Sequence, residues 1–315
     1  MANPIYVTEA EVAELLDMRG AIDALEAVFL AQAHGQARNS PRQRAEYWGG
    51  RLNLMSAGQD SGRFAFKAYA GTAAPTVYHV MLYDAREGLI AIIEAGVLGQ
   101  LRTGAATGVA TRHMAAKSAA TLGMIGAGKH ARTQLQAIQA VRPLRRANVF
   151  SRDATRLRDF CHTMSRELSI DVAPAPGAES ALHGADIVVT ATTSAKPVIA
   201  DAWLVAGVHV NAMGANSLKR NELEAASYAR AGVVVTDDVA QARLEAGELI
   251  ATVRDGHKSW ADFHELSSVV AHGCPPSHGG LTIFKSLGAA LEDLAAANAI
   301  YERASAAGHK RRVQG

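Results

Sequence analysis

The sequence predicts an α/β protein: a doubly wound parallel sheet of the Rossmann type inserted in a second α/β domain. Three observations predict it. A glycine-rich turn, Gly126-Ala127-Gly128-Lys129-His130-Ala131, stands between an apolar run at 121–125 and an alanine-rich helical stretch at 129–141. Apolar, β-rich runs then alternate with helical stretches as far as residue 238. Before residue 115 the pattern is different, with short strands divided by hairpin signals.

In chain order, Thr8 and Glu11 have the spacing of a capping box for a short helix, and a second helix follows at about 20–35. Strands are expected at 51–56, 63–70, 77–84 and 89–93, with turns at Gly49-Gly50, 57–62 and 84–88. Arg42 and Arg44 follow Pro41 in what reads as a polar loop. Arg102-Thr103 opens a helix-like stretch, 102–116, rich in small residues. Beyond the glycine turn come a strand at 147–152, a helix at 153–168, a short strand at 170–173 and a loop at 174–177. Three further strands lie in 185–193, 207–216 and 232–238. The last segment, 287–306, reads as a long amphipathic helix that returns to the first domain. The expected domains are therefore 1–115 with 287–315, and 116–286 for the dinucleotide half.

Composition is that of an ordinary soluble enzyme: 315 residues, 49% apolar and 20% charged. A net charge of +2 gives no reason to expect nucleic acid or an anionic membrane as partner. No apolar run reaches ~18 residues and no signal peptide is read, so no membrane span is expected. Cys161 and Cys274 lack metal-ligand spacing and imply a reducing, cytoplasmic setting. The basic tail His309-Lys310-Arg311-Arg312 reads as a disordered terminus rather than a binding patch.

The glycine turn carries the clearest chemistry. Gly126 permits the tight turn, Gly128 lets backbone approach a pyrophosphate, and Ala131 keeps helix and strand close. The phosphates then meet free N–H groups at the positive end of the helix dipole. The other reading is a loop with chance glycines. The 147–152 strand ends in Ser151-Arg152, where an NAD-preferring site usually carries an acid. A hydroxyl beside a guanidinium suits a 2′-phosphate, so NADP(H) is expected over NAD(H), unless Arg152 is only a solvated helix-start residue. Thr192, Thr193, Met213 and Asn216, at strand ends, should face the same crevice. Lys67 interrupts the run RFAFKAYAG; it is either a desolvated acid–base group or a lysine on the wet face of the strand. Arg102 is either a bidentate carboxylate grip or a surface arginine. His272 and His278 flank Cys274 in a Gly/Pro loop that reads as a loop, not a zinc site, and no HExxH, CxxC or GxSxG occurs.

Four ordered segments, RTGAATG (102–108), GMIGAGKHARTQ (123–134), GVHVNAMGANSLKRNELE (207–224) and TIFKSLGAALED (282–293), resemble the signatures of the ornithine cyclodeaminase/mu-crystallin family. The resemblance runs from about residue 40 to 305. It implies a Rossmann domain inserted in an α/β substrate and dimerisation domain built from both chain ends, hence a homodimer. It matches Lys67 and Arg102 to a substrate-site lysine and a carboxylate-binding arginine, Arg42 to a second substrate arginine with Arg44 as fallback, and Leu287 to a position beside the substrate. Thr76, Thr103, Thr192, Val210, Asn211, Ala212, Met213, Arg220 and Ser286 join the glycine turn, Ser151 and Arg152 as cofactor positions. Two departures matter. Asn216 stands where ornithine cyclodeaminases carry an acid–base aspartate, and an amide cannot cycle a proton near neutral pH. The acid before the arginine motif is matched by Glu94, in IIEAGVLGQ. The resemblance therefore implies an NAD(P)-dependent oxidoreductase moving hydride to or from the α-carbon of an imine, cyclic ketimine acid or small 2-amino acid, with Asn216 hydrogen-bonding at the reacting nitrogen. Alternatives are an ammonia-eliminating cyclase with bound NAD, using a substitute base such as Glu94, and a non-catalytic nucleotide or small-ligand binder.

Overall fold

The computed structural model describes residues 3–309 and 311. It divides into two compact units, Met1–Ala105 with Gly288–Gly315, and Ala106–Leu287.

The first unit begins with β1 (Ile5–Val7), α1 (Glu9–Leu15) and α2 (Met18–Ala33). Strands β2 (Ala37–Tyr47), β3 (Gly50–Gln59), β4 (Arg63–Gly71), β5 (Tyr78–Asp84) and β6 (Gly88–Glu94) follow, and then α3 (Gly96–Met114), whose C-terminal half belongs to the second unit. The sheet order is β1-β6-β5-β4-β3-β2, antiparallel throughout except for the parallel β1–β6 edge. The capping box at α1 is present: the Glu11 carboxylate accepts the Thr8 N–H at 2.8 Å and its hydroxyl at 2.7 Å.

The segment around Pro41, expected as a loop, is instead part of β2. Its ladder with β3 shifts between Ser40 and Gln43. Proline has no N–H to give the ladder, so the strand bulges there. The bulge reverses the alternation. Ala37 faces the core before it, and Arg42 and Arg44 turn inward after it while Gln43 is exposed. A second correction concerns α3, which starts six residues before the expected Arg102. The Glu9 carboxylate accepts the N–H groups of Gly96 (2.6 Å) and Val97 (2.7 Å), capping the helix from far away in sequence. Arg102 consequently lies in the body of the helix, not at its start.

The second unit contains β7 (Thr121–Ile125), α4 (Lys129–Val141), β8 (Arg146–Phe150), α5 (Ala154–Leu168), β9 (Asp171–Pro174), α6 (Ala178–Leu182), β10 (Ile187–Thr190), β11 (His209–Ala212), α7 (Ala225–Arg230) and β12 (Val233–Thr236). It continues through α8 (Val239–Glu245), α9 (Gly247–Arg254), β13 (Phe263–Glu265), α10 (Leu266–His272) and β14 (Thr282–Lys285). All eight strands are parallel, in the order β13-β12-β14-β11-β10-β7-β8-β9. The chain runs outward from β7 to β9, then crosses back to β10 on the other side of β7, which makes the β7/β10 boundary the switch point. Apolar clusters cover both faces, one around Leu135, Ile138 and Met164, the other around Leu182, Tyr228 and Leu249. That is why Ile187–Thr190 and Val233–Thr236 are buried at every position rather than alternately. The central strand β14 was not expected. Its run is only four residues long and ends in Lys285, fully buried and paired with Glu248 at 2.5 Å.

The last helix, α11 (Ala290–Ala306), packs on α2 and on β2–β5 of the first unit. It is not amphipathic as expected: every residue from Ala290 to Ala297 is buried, as are Ile300 and Ala304. Its small alanines allow approach from several sides. Past it, the Arg311 carbonyl accepts the Tyr6 N–H at 3.1 Å and His309 Nε2 lies 2.9 Å from the Tyr6 carbonyl. These two residues of the basic tail are therefore tied to β1 rather than disordered; Lys310 and Arg312 lie outside the described residues.

Candidate functional site

The first unit buries five charged side chains among the described residues: Arg42, Lys67 and Arg102 against Glu292 and Asp293. Strand alternation excludes the wet-face reading of Lys67. Ala65 and Lys67 share the buried face of β4, under α11, and Lys67 is 4% exposed. Its Nζ lies 3.1 Å from Asp293 Oδ1, and the same oxygen accepts Arg102 Nε at 3.1 Å. Arg102 Nη1 also donates to Glu292 Oε2 at 2.7 Å, so the surface-arginine reading fails as well. Arg42 Nη2 donates to the Gly288 carbonyl at 2.9 Å. Arg44, the fallback, shares Arg42's face but is only half-buried.

The electrostatics are asymmetric. Three buried cations gather here with two buried carboxylates, in a desolvated place where charges are held only by close partners. Burial pulls the Lys67 ammonium down to about 8; Asp293 opposes this and Arg102 and Arg42 assist. Lys67 Nζ also lies 5.5 Å from the Tyr78 ring centroid and 6.0 Å from that of Tyr69. Two glycines make room for the cations. A Cβ at Gly99 would stand 3.4 Å from Lys67 Nζ, and one at Gly288, whose φ is +78°, only 2.4 Å from Arg102 Nη1. The sequence reading missed Glu292 and Asp293. The signal was available, because two acids interrupt an apolar, alanine-rich run just as Lys67 interrupts its strand. Of the other residues placed in this unit, Thr103 is buried and donates to the Gly99 carbonyl (2.7 Å), and Thr76 is half-buried in the β4–β5 loop. Glu94 is engaged elsewhere. It accepts the Tyr6 hydroxyl (2.9 Å) and the Glu9 N–H (2.7 Å), pinning the first strand and helix.

In the second unit a cavity of about 420 Å³ opens at the carboxyl ends of β7, β8 and β10, lined by Gly126, Ala127, Gly128, Ser151, Arg152, Arg156, Thr192, Thr193 and Ser194. Gly126 has φ +116°, and a Cβ there would lie 2.4 Å from the Ala191 carbonyl oxygen, so β7 and β10 approach too closely for any side chain. A Cβ on Gly128, the N-cap of α4, meets nothing within 4 Å; the space beside this backbone is open. Ala131 is fully buried, while Lys129 and His130 are exposed on the first turn. These features fit a dinucleotide pyrophosphate at the helix N-terminus. Arg152 is exposed and Ser151 half-buried at the end of β8. Asp153, the next residue, caps α5 by accepting the Arg156 N–H at 3.0 Å.

Beside this cavity lies a hub invisible in the sequence. Glu222, fully buried, accepts the Thr192 N–H (2.7 Å) and hydroxyl (2.8 Å) on Oε1, and the Thr190 hydroxyl (3.0 Å) and Gly214 N–H (2.6 Å) on Oε2. It ties the end of β10 to the loop after β11. Burial raises its pKa, against Lys285 and the Thr192 bonds. Glu248 accepts the Glu222 (2.5 Å) and Leu223 (3.0 Å) N–H groups and faces Lys285. Val210, Asn211, Ala212 and Met213 are buried; the Asn211 amide turns into the core and donates to Thr111 Oγ1 at 3.1 Å. Asn216 and Arg220 are half-buried in the following loop. Asp237 Oδ2 fixes the stretch after β14, accepting the Leu287 N–H at 2.7 Å and the Ser286 hydroxyl at 3.4 Å. Among the described residues no group of three or more His, Cys, Asp or Glu is placed to hold a metal ion, and no helix is long and apolar enough to cross a membrane.

Known proteins give this geometry its context. The chain is 32% identical to an alanine dehydrogenase of Archaeoglobus fulgidus, over 95% of each chain. It is 33% identical to a Δ1-pyrroline-2-carboxylate reductase of Bacillus cereus, over 75% of this chain and 73% of that one. The solved Δ1-pyrroline-2-carboxylate reductase of Thermococcus litoralis, in complex with NADH and L-proline, superposes with a TM-score of 0.91 at 28% identity, covering 99% of this chain and 100% of that one. A sequence model of the ornithine cyclodeaminase/mu-crystallin family matches residues 3–308, and the chain belongs to that family.

Proposed function

We propose that this chain is an NAD(P)-dependent oxidoreductase, an imine or cyclic-ketimine reductase that also works in reverse as a 2-amino-acid dehydrogenase. The observation that carries this reading is the buried cluster of Lys67, Arg42 and Arg102, two guanidiniums suited to a carboxylate beside a group able to hold or release a proton. Arg102 and Arg42 bind the carboxylate and so fix the adjacent carbon, lowering the entropic part of the barrier. Lys67 gives a proton to the substrate nitrogen in reduction and takes one in oxidation. Asn216 hydrogen-bonds at that nitrogen; as an amide it cannot replace the acid–base aspartate of a cyclodeaminase. The glycine turn, Ser151 and Arg152 would hold a nicotinamide dinucleotide, whose chemistry would be hydride transfer. The named activities of the relatives, both on acids with nitrogen at the α-carbon, support the same substrate class.

The test mixes the protein with NADH or NADPH and either 2-oxo acids plus amines or preformed cyclic ketimines, and follows cofactor absorbance. Cofactor consumption is expected, and its loss in Lys67→Ala. Ammonia release without net cofactor change would instead mark a cyclase, and dinucleotide binding without turnover a binder. We assign NADP(H) as the preferred cofactor, on Ser151 and Arg152 in the cavity and the absence of an acid at the end of β8. Arg152→Ala should then weaken NADPH binding by about 1–3 kcal/mol and leave NADH nearly unchanged; equal losses in titration calorimetry would remove the assignment. A homodimer in a reducing, cytoplasmic compartment completes the reading, consistent with two unpaired cysteines.

A further inference from the structure

Asp293 lies in the first turn of α11 with 1% of its surface exposed, and its two oxygens differ. Oδ1 takes both Lys67 Nζ and Arg102 Nε, each at 3.1 Å. Oδ2 has no hydrogen-bond partner among the described residues. A counter-ion serving stability alone would be expected to spread its donors over both oxygens. Here two cations that repel each other converge on one atom, which fixes how far apart they can stand and where Nζ points.

We propose that Asp293 is a positioning residue of this site: through Oδ1 it holds Lys67 against Arg102 and keeps a proton on Nζ for the reacting nitrogen. This rests on the reductase reading above. Among the described residues the titratable and charged groups shown to act on or face Nζ are Arg42 on β2, Tyr69 on β4, Tyr78 on β5, Arg102 on α3 and Asp293 on α11, with Glu292 bonded to Arg102 behind them. Burial, Arg102 and Arg42 drive the proton off Lys67, and Asp293 is the largest opposing influence. In reduction the C=N carbon gains a hydride and the nitrogen gains the proton of Lys67, whose neutral amine then recovers a proton from solvent. Oxidation runs the same transfers backward and needs the neutral amine first.

Removing the Asp293 charge therefore acts oppositely on the two directions. In Asp293→Asn the basic limb of the reduction profile should move down by about 1–3 pH units, and so should the acidic limb of oxidation. Near pH 7 reduction slows while oxidation loses less or gains. Loss of packing alone would lower both rates without moving either limb.

A readout independent of turnover is NMR titration of the ¹⁵N-labelled lysine Nζ, with Lys67 assigned by its disappearance in Lys67→Met. The wild-type Nζ should titrate near pH 8, and in Asp293→Asn about 1–3 units lower. Asp293→Glu, which keeps the charge, should restore the titration. Should Asp293→Asn fail to fold, Asp293→Ser, which keeps a small oxygen acceptor but not the charge, should show the same fall, and an unshifted titration there overturns the proposal. An unshifted titration in folded Asp293→Asn overturns it whatever the activity. A shifted titration in a protein without imine reduction overturns the functional reading and leaves the pairing of Asp293 with Lys67 standing.

Discussion

At the scale of single residues, the site is built as much by what is missing as by what is charged. Gly288 has φ +78°, and the space a Cβ would need is taken by the Arg102 guanidinium. Gly288→Ala therefore adds backbone strain and pushes Arg102 off its carboxylate partners at once. The expected outcome is a loss of about 1.5–3 kcal/mol in kcat/KM for a carboxylate substrate, the range of a charged hydrogen bond, with dinucleotide affinity unchanged. Steady-state kinetics beside titration calorimetry would show it, and an equal loss of cofactor binding would mean that the damage is global. Lys67 was legible as a candidate because a charge interrupts an apolar strand. Its orientation was not, since parity depends on which face α11 covers, and that helix lies more than two hundred residues downstream.

At the scale of elements, misreadings trace to partners distant in sequence. The start of α3 is set by Glu9, the inward turn of Arg42 by a bulge at Pro41, and the burial of β14 by pairing with β11 and β12. The glycine turn and its flanking strand and helix were legible because turn, strand and helix are contiguous. Glu222 shows the same limit. Nothing near it in sequence announces that its carboxylate will collect four donors from β10 and the loop after β11. Glu222→Gln makes a sharp test, because an amide nitrogen in place of one oxygen sets donor against donor at a buried point. We expect about 1–3 kcal/mol of lost stability, together with weaker dinucleotide binding as Thr192 is released. Denaturant unfolding with and without NADH would measure both. Unchanged NADH affinity in a destabilised variant would confine Glu222 to structure alone.

At the scale of the whole molecule, alternation of strands and helices predicted a doubly wound sheet, but not the strand order, which is fixed by packing on both faces. That packing leaves a polar thread through the core of the second unit. His209 Nδ1 lies 2.9 Å from Thr282 Oγ1 on β14, its Nε2 lies 3.3 Å from Asn211 Oδ1, and Asn211 reaches Thr111 on α3. Burial drives the His209 pKa from 6.5 down to about 3, with Arg142 adding to the effect and the Asn211 bond opposing it. Between those two values the unfolded chain binds a proton that the folded chain refuses. Stability is therefore fully present above pH 6.5 and declines as pH falls toward 3, by a total on the order of 5 kcal/mol from this one group. Carboxylates titrate over the same window, so the informative quantity is a difference between proteins. Urea unfolding of wild type and His209→Asn at a series of pH values should show the steeper acid decline in wild type, even if the variant is less stable at neutral pH. Parallel declines would mean that His209 is protonated in the folded core, and the thread would then have to be drawn with a cation at its centre.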